Sequence, residues 1–235
     1  MTSGTFPGSP FSASAQRYDP GVLAGEATLG LRERKKLRTR TMLIDAAIEL
    51  CLRQGFERTT VDQIAATADV SPRTFSRYFA TKDAVVTAML DDALDKAAVE
   101  LTRQPADISH LEAMIRAYTA MYRNTLSAPA TGLTAARLMS TVRIVMTSPT
   151  LRNTVADFRP HSANVALAER MGVGLEDRRL KLVAALWAAI IITALGDLAS
   201  PATDWDRIGV EEVVARAEAT YREFIAVTAT AGQAV

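Results

Sequence analysis

The stretch Thr59–Asp83, TTVDQIAATADVSPRTFSRYFATKD, reads as two short helices joined by a tight turn. Thr60 and Gln63 have the spacing of a capping box, in which each side chain satisfies a backbone N–H that the first helical turn leaves open. Ile64 and Ala65 follow as the apolar side of a helix ending near Ala68. Asp69 takes the turn, a place that asks for a residue tolerant of the left-handed conformation. Val70 turns inward between the two helices. Ser71 is the next N-cap, and Pro72 stands at the first helical position, where its missing N–H costs nothing. Phe75 and Phe79, four apart, share the inner face of the second helix. Ser71, Arg73, Thr74, Ser76, Arg77 and Tyr78 are left for the outer face. Thr81 caps a third, longer helix that runs through Ala84, Val85, Ala88 and Met89 to about Arg103, closed by Gln104-Pro105.

Upstream, a helix is predicted over about Lys36–Gln54. Ile44, Ala47, Ile48 and Cys51 make its apolar stripe, widened by Leu43, Ala46 and Leu50. Gly55 is expected to end it as a left-handed cap, with Phe56 anchoring the exit. The basic cluster LRERKKLRTR, Leu31 to Arg40, lies at its start. Residues 1–30 are rich in Gly, Pro, Ser and Ala without periodicity and are expected to be a disordered tail. Downstream, helical patterns recur over Leu111–Leu126, Leu133–Met146, Leu151 to about Arg170 with a kink at Pro160, Leu175–Leu198, and Val210–Thr228. The reading is all-α, with about nine helices and no strands. The boundaries are 1–30 for the tail, 31–86 for the basic N-terminal domain and 87–235 for the C-terminal domain.

Composition bounds the function. With 235 residues, 49% hydrophobic and 6% aromatic, the chain is long enough for one large or two small well-buried domains. The net charge of +1 hides an asymmetry. Residues 31–83 carry 11 Lys and Arg against 7 Asp and Glu, whereas residues 84–235 carry 15 against 17. Positive charge concentrated at one end suits a polyanion. Cys51 is the single cysteine, so no internal disulfide forms, and a cytoplasmic, reducing setting is expected. The start, MTSGTFPGSP, has neither the charged nor the apolar region of a signal peptide. The longest apolar run, Leu182 to Leu195, has 14 residues, which predicts a buried core helix and no membrane span.

Thr59-Thr60-Val61, Ile64-Ala65, Val70-Ser71, Thr74-Phe75, Tyr78-Phe79 and Thr81-Lys82-Asp83, in this order and spacing, resemble the N-terminal domain of TetR-type transcriptional regulators. The resemblance covers roughly residues 38–90; the rest agrees in length and helical character. Two positions depart from the pattern. Asp69 stands where glycine is usual, and Ser76 where an aromatic residue is usual. The implied architecture is a three-helix helix-turn-helix domain followed by a ligand-binding and dimerisation domain.

The resemblance implies double-stranded operator DNA as partner. It matches Lys82, Thr59 and Thr60 to phosphate-contacting positions and Tyr78 to a phosphate-contacting ring. Small polar and cationic side chains at the start of a short helix suit the major groove, so Arg73, Thr74 and Arg77 are base-readout candidates, with Ser71 and Ser76 beside them. The arm carrying Arg32, Arg34, Lys35, Lys36, Arg38 and Arg40 is placed to reach an adjacent minor groove. One helix-turn-helix covers a half-site, so a homodimer is expected, built from the helices near 175–198 and 210–228.

A small effector in the C-terminal domain is implied by the family. Met114, Tyr118, Met121, Tyr122, Met139, Met146, Phe158 and Trp187 are candidates for its pocket wall, though the same residues at helical spacing also suit a core. Arg116, Arg123, Arg137 and Arg143 are candidates for an anionic end. An apolar or amphipathic ligand follows. No catalytic residue, metal ligand set or cofactor is expected. His110 and His161 are the only histidines, and no G-x-S-x-G, P-loop or G-x-G-x-x-G occurs. The alternative reading is a helical small-molecule carrier that does not bind DNA.

Overall fold

The computed structural model describes residues 30–129, 132–156 and 158–231. They form ten α-helices and no strand: α1 (Leu31–Gln54), α2 (Val61–Thr67), α3 (Pro72–Tyr78), α4 (Lys82–Thr102), α5 (His110–Asn124), α6 (Ala135–Thr147), α7 (Pro149–Ala156), α8 (Ser162–Met171), α9 (Arg178–Leu195) and α10 (Val210–Ala231). The all-α class is as the sequence implies. The expected tail lies almost wholly outside the described residues.

The local signals around α2 and α3 work as their chemistry requires. Thr60 Oγ1 accepts from the Gln63 N–H at 3.2 Å, and Gln63 Oε1 accepts from the Thr60 N–H at 3.0 Å. Asp69 is the one non-glycine residue with positive φ among the described residues, at 53°. The turn closes because the N–H groups of Asp69 and Val70 donate to the carbonyls of Ala66 and Ala65. Ser71 Oγ accepts from the Thr74 N–H at 3.1 Å, and Thr81 Oγ1 from the Ala84 N–H at 3.2 Å. Phe75 and Phe79 are buried with ring centroids 5.8 Å apart. They join Leu43, Ala47, Leu50, Cys51, Ile64, Val85 and Met89 in one cluster. Two expectations for α1 change. It begins at Leu31, five residues before the predicted start, so the basic cluster is helical. Gly55 has φ 84° and ψ 155°, an extended mirror conformation open to glycine instead of the left-handed helical cap.

α4 connects the two halves. Its first turns bury Val85, Val86, Ala88 and Met89 in the cluster above. Its last turns place Ala98 and Leu101 with Met114, Ala117, Leu167, Leu180 and Trp187 of α5, α8 and α9. The boundary expected between 86 and 87 therefore falls inside an unbroken helix. α6 also crosses: Leu138, Val142 and Val145 pack in the first cluster, and Arg137 pairs with Asp45 of α1 at 2.5 Å. Arg170 of α8 holds the α4–α5 link by donating to the carbonyls of Gln104, Pro105 and Ile108.

The helix predicted over 151–170 is two helices. α7 ends at Ala156 and α8 starts at Ser162. Pro160 cannot donate to the helical ladder and disfavours helical backbone at Arg159, and polar groups then complete the break. His161 Nδ1 accepts from the Asn164 N–H at 3.3 Å, and the buried Asn164 amide donates to the Arg159 carbonyl at 2.7 Å. α9 is buried on one face only, through Leu180, Trp187, Ile190, Ala194 and Leu195, while Leu182 and Ile192 are 59% and 38% exposed. This corrects the expectation of a buried core helix. By length and composition, residues 178–199 also suffice to cross a membrane, although α9 packs against α5, α7, α8 and α10.

Burial, helped by the nearby Arg159 charge, holds the His161 imidazole down at about 4. Between pH 6.5 and 4 the unfolded chain binds a proton at this site that the folded chain refuses, so the contribution of His161 is lost as pH falls through that window. In urea titrations across it, wild type is predicted to lose on the order of 3 kcal/mol relative to His161→Asn, which keeps a capping acceptor without titrating. Parallel pH profiles for the two proteins would contradict this.

Candidate nucleic-acid interface

The outer face of α3 is set by its inner face. A seven-residue helix has little stability by itself and takes its orientation from packing. With Phe75 and Phe79 buried, Ser71, Arg73, Ser76 and Arg77 are exposed, and Thr74 and Tyr78 are half-buried. The hydroxyls are engaged within the helix. Ser71 Oγ and Thr74 Oγ1 are 3.0 Å apart, and Ser76 Oγ donates to the Pro72 carbonyl at 3.1 Å. The two guanidiniums are the extended groups. Neither Arg73 nor Arg77 forms an ion pair among the described residues.

Tyr78 joins this face to α1. The polar groups of Arg77 and then Thr39 beside it hold its phenol below the usual value, and the charges of Arg77 and Lys36 add to the effect. The Arg77 guanidinium lies 5.5 Å from the Tyr78 ring centroid, and that of Arg40 lies 5.5 Å from the Phe79 ring. Lys36, Thr39 and Arg40 thus border the end of α3, and Arg32 lies one helical turn before Lys36 on the same face. The arm is helical and continuous with the rest of α1. Arg32, Arg34, Lys35, Lys36 and Arg38 are exposed, Arg40 is half-buried, and none is in an ion pair among the described residues. Arg38 lies on a different side of α1 from Lys36 and Arg40. The charge excess read from the sequence is therefore unneutralised in the fold.

Thr59 and Lys82 stand away from the role expected of them. Thr59 is 1% exposed, and its hydroxyl donates to the Gly55 carbonyl at 2.9 Å. Lys82 Nζ is turned onto the carbonyls of the α1–α2 loop. Thr60 is exposed at the start of α2, where its hydroxyl is occupied by the cap. Sequence pattern cannot separate Thr59 from Thr60, since only the turn of the loop decides which one faces inward.

The candidate ligand residues do not gather into one site. Tyr118, Tyr122 and Trp187 line a cavity between α5, α9 and α10, with Ile115, Thr119, Ile191, Leu195 and Val213. Its volume is about 10 Å³, room for no more than a water molecule. The Tyr118 and Trp187 rings are 4.5 Å apart. Burial raises the Tyr118 phenol and pushes that of Tyr122 up to about 12. Met114 is packed solid in the same core, Met121 and Met146 belong to the cluster beneath α1, Met139 packs on that cluster, and Phe158 lies under Lys181. Arg116, Arg123 and Arg137 are paired with Glu112, with Glu211 and Glu218, and with Asp45. Among the described residues no three His, Cys, Asp or Glu side chains come together as a metal-binding group.

Residues 43–89, the helix-turn-helix region, match the family model described as bacterial regulatory proteins, tetR family. The chain is 35% identical over 185 residues to the HTH-type transcriptional regulator TcmR of Streptomyces glaucescens, covering 75% of this chain and 80% of that one. It is 37% identical over 71 residues to the HTH-type transcriptional regulator HbdR of Aromatoleum sp. (strain CIB), covering 30% and 31%. Among solved structures it is similar to Thermus thermophilus FadR, a TetR-family repressor in complex with lauroyl-CoA. That match has a TM-score of 0.44 and 20% identity over 78% of this chain and 91% of that one.

Proposed function

The chain belongs to the tetR family of bacterial regulatory proteins and is a DNA-binding transcriptional regulator; from that premise we propose that it is a cytoplasmic repressor, binding its operator as a homodimer and released by an apolar or amphipathic effector. The observation that carries the reading is the unpaired cationic face of α3, held outward by the burial of Phe75 and Phe79. Arg73 and Arg77 read bases in the major groove, flanked by Ser71, Thr74 and Ser76. Tyr78, Thr60, Arg40 and the exposed cations of α1, Arg38 among them, meet phosphates. A dimer that occupies a promoter blocks it, which favours repression.

Two further features support the finer parts. Leu182 and Ile192 on α9 and Ile225 on α10 leave an apolar surface on the last two helices, the surface a symmetric partner buries. The cavity at Tyr118, Tyr122 and Trp187 has an almost wholly apolar lining and is too small for an effector as it stands. An effector therefore enters by separating α5 from α9 and α10. Because α5 packs along α4, that separation moves α4 and changes the distance between the two copies of α3.

Selection from a pool of random duplexes tests the reading. Wild type is predicted to enrich an operator with two half-sites. Arg73→Ala and Arg77→Ala are each predicted to weaken binding to it by about 1–3 kcal/mol while leaving non-operator binding nearly intact. Enrichment of no sequence would sink the assignment. In sedimentation experiments the double variant Leu182→Glu, Ile192→Glu is predicted to be monomeric where wild type is dimeric. A variant that stays dimeric places the interface elsewhere.

A further inference from the structure

The ammonium of Lys82 is fully used inside the protein. Nζ donates to the carbonyl oxygens of Phe56 at 2.9 Å, Thr59 at 3.1 Å and Glu57 at 3.2 Å. An ammonium has three N–H donors, so the set is complete. The same Nζ lies 4.3 Å from the centroid of the buried Phe56 ring, within range of a cation–π attraction. Drawing this group out to a phosphate would strip three carbonyls of a charged donor, two of them in partly buried bonds.

The position of these carbonyls gives the arrangement its consequence. They belong to the loop between α1 and α2, which ends on Thr60, the cap of the first helix of the DNA-binding pair. Lys82 is the first residue of α4, the helix that continues into the C-terminal core. The loop is also held from a second side. The Glu57 carboxylate accepts from Ser148 Oγ at 2.6 Å, and Ser148, 1% exposed, sits at the junction of α6 and α7. One short loop is therefore fixed to α4 by a cation and to the α6–α7 corner by a carboxylate.

We propose that Lys82 is a positioning residue for DNA binding: it fixes the angle at which α2 and α3 sit on α4, and it makes no phosphate contact. This rests on the DNA-binding reading above. Two readings separate the roles, taken on full-length protein with the operator that wild type enriches. The first is the slope of log affinity against log salt. Each phosphate contact contributes about 0.9 to it, so a contact from each of two protomers would make the slope of Lys82→Met shallower by about 1.8. The second is the penalty for moving the half-sites one base pair closer or further apart, which a residue serving only the fold does not alter.

The expected result for Lys82→Met is an unchanged slope, affinity weaker by about tenfold, and a reduced spacing penalty. A shallower slope overturns the proposal in favour of a phosphate contact. An unchanged spacing penalty overturns it in favour of a role in folding alone. If Lys82→Met does not fold, Lys82→Gln, which keeps N–H donors without the charge, is judged by the same two readings. Failure of wild type to enrich any operator is a separate outcome that removes the DNA-binding reading and the proposal together.

Discussion

Burial of Phe75 and Phe79 against α1 and α4 is the constraint on which the rest depends. A seven-residue helix has too few internal hydrogen bonds to persist by itself. Fully burying each phenylalanine contributes about 1.5–3 kcal/mol, enough to dock α3 in one orientation. Once those rings are inside, the helical period fixes where every other side chain of α3 points. Arg73 and Arg77 reach solvent because Phe75 and Phe79 do not. The exposed cationic surface of α3 is thus a by-product of the core, and a change in core packing is also a change in what that surface presents.

The same logic applies one level up. The helix-turn-helix is attached to the remainder through α4, which runs through both clusters, and through α6, which meets α1 at Asp45 and the α1–α2 loop at Glu57. A rearrangement around Tyr118, Tyr122 and Trp187 has a continuous packed route to α3: α5 lies on α4, and α4 begins at the residue that holds the loop. The cavity there has a volume of about 10 Å³, so on the function proposed above the binding of an effector would require these helices to move. On that proposal, a ligand that fits one packing better than the other would change DNA affinity at a distance.

What the sequence made legible was what local chemistry decides. Thr60 with Gln63, Ser71 with Pro72, and Thr81 each fix a helix start through hydrogen bonds spanning three residues, and all three are where the spacing placed them. Asp69 was readable as a left-handed turn residue for the same reason. What depends on distant partners was not legible. Thr59 and Thr60 look alike until the loop buries the first. Lys82 looks like a surface cation until three carbonyls, 23 to 26 residues earlier, converge on it. Pro160 suggested a kink, but the break also needed His161 and Asn164 to satisfy the freed backbone. The aromatic and methionine residues of the C-terminal half share helical spacing with any core, and only Tyr118, Tyr122 and Trp187 among them line a common cavity.

The central claim is that the outer face of α3, oriented by its buried rings, reads the major groove of two half-sites. Methylation of guanine N7, which lies in that groove, tests it most directly by interference on the enriched operator. The account predicts two clusters of interfering guanines separated by a helical turn of DNA or more, with guanines lost from each cluster when Arg73 or Arg77 is replaced by alanine. Interference that is absent, confined to one cluster, or unchanged in both alanine variants would contradict it.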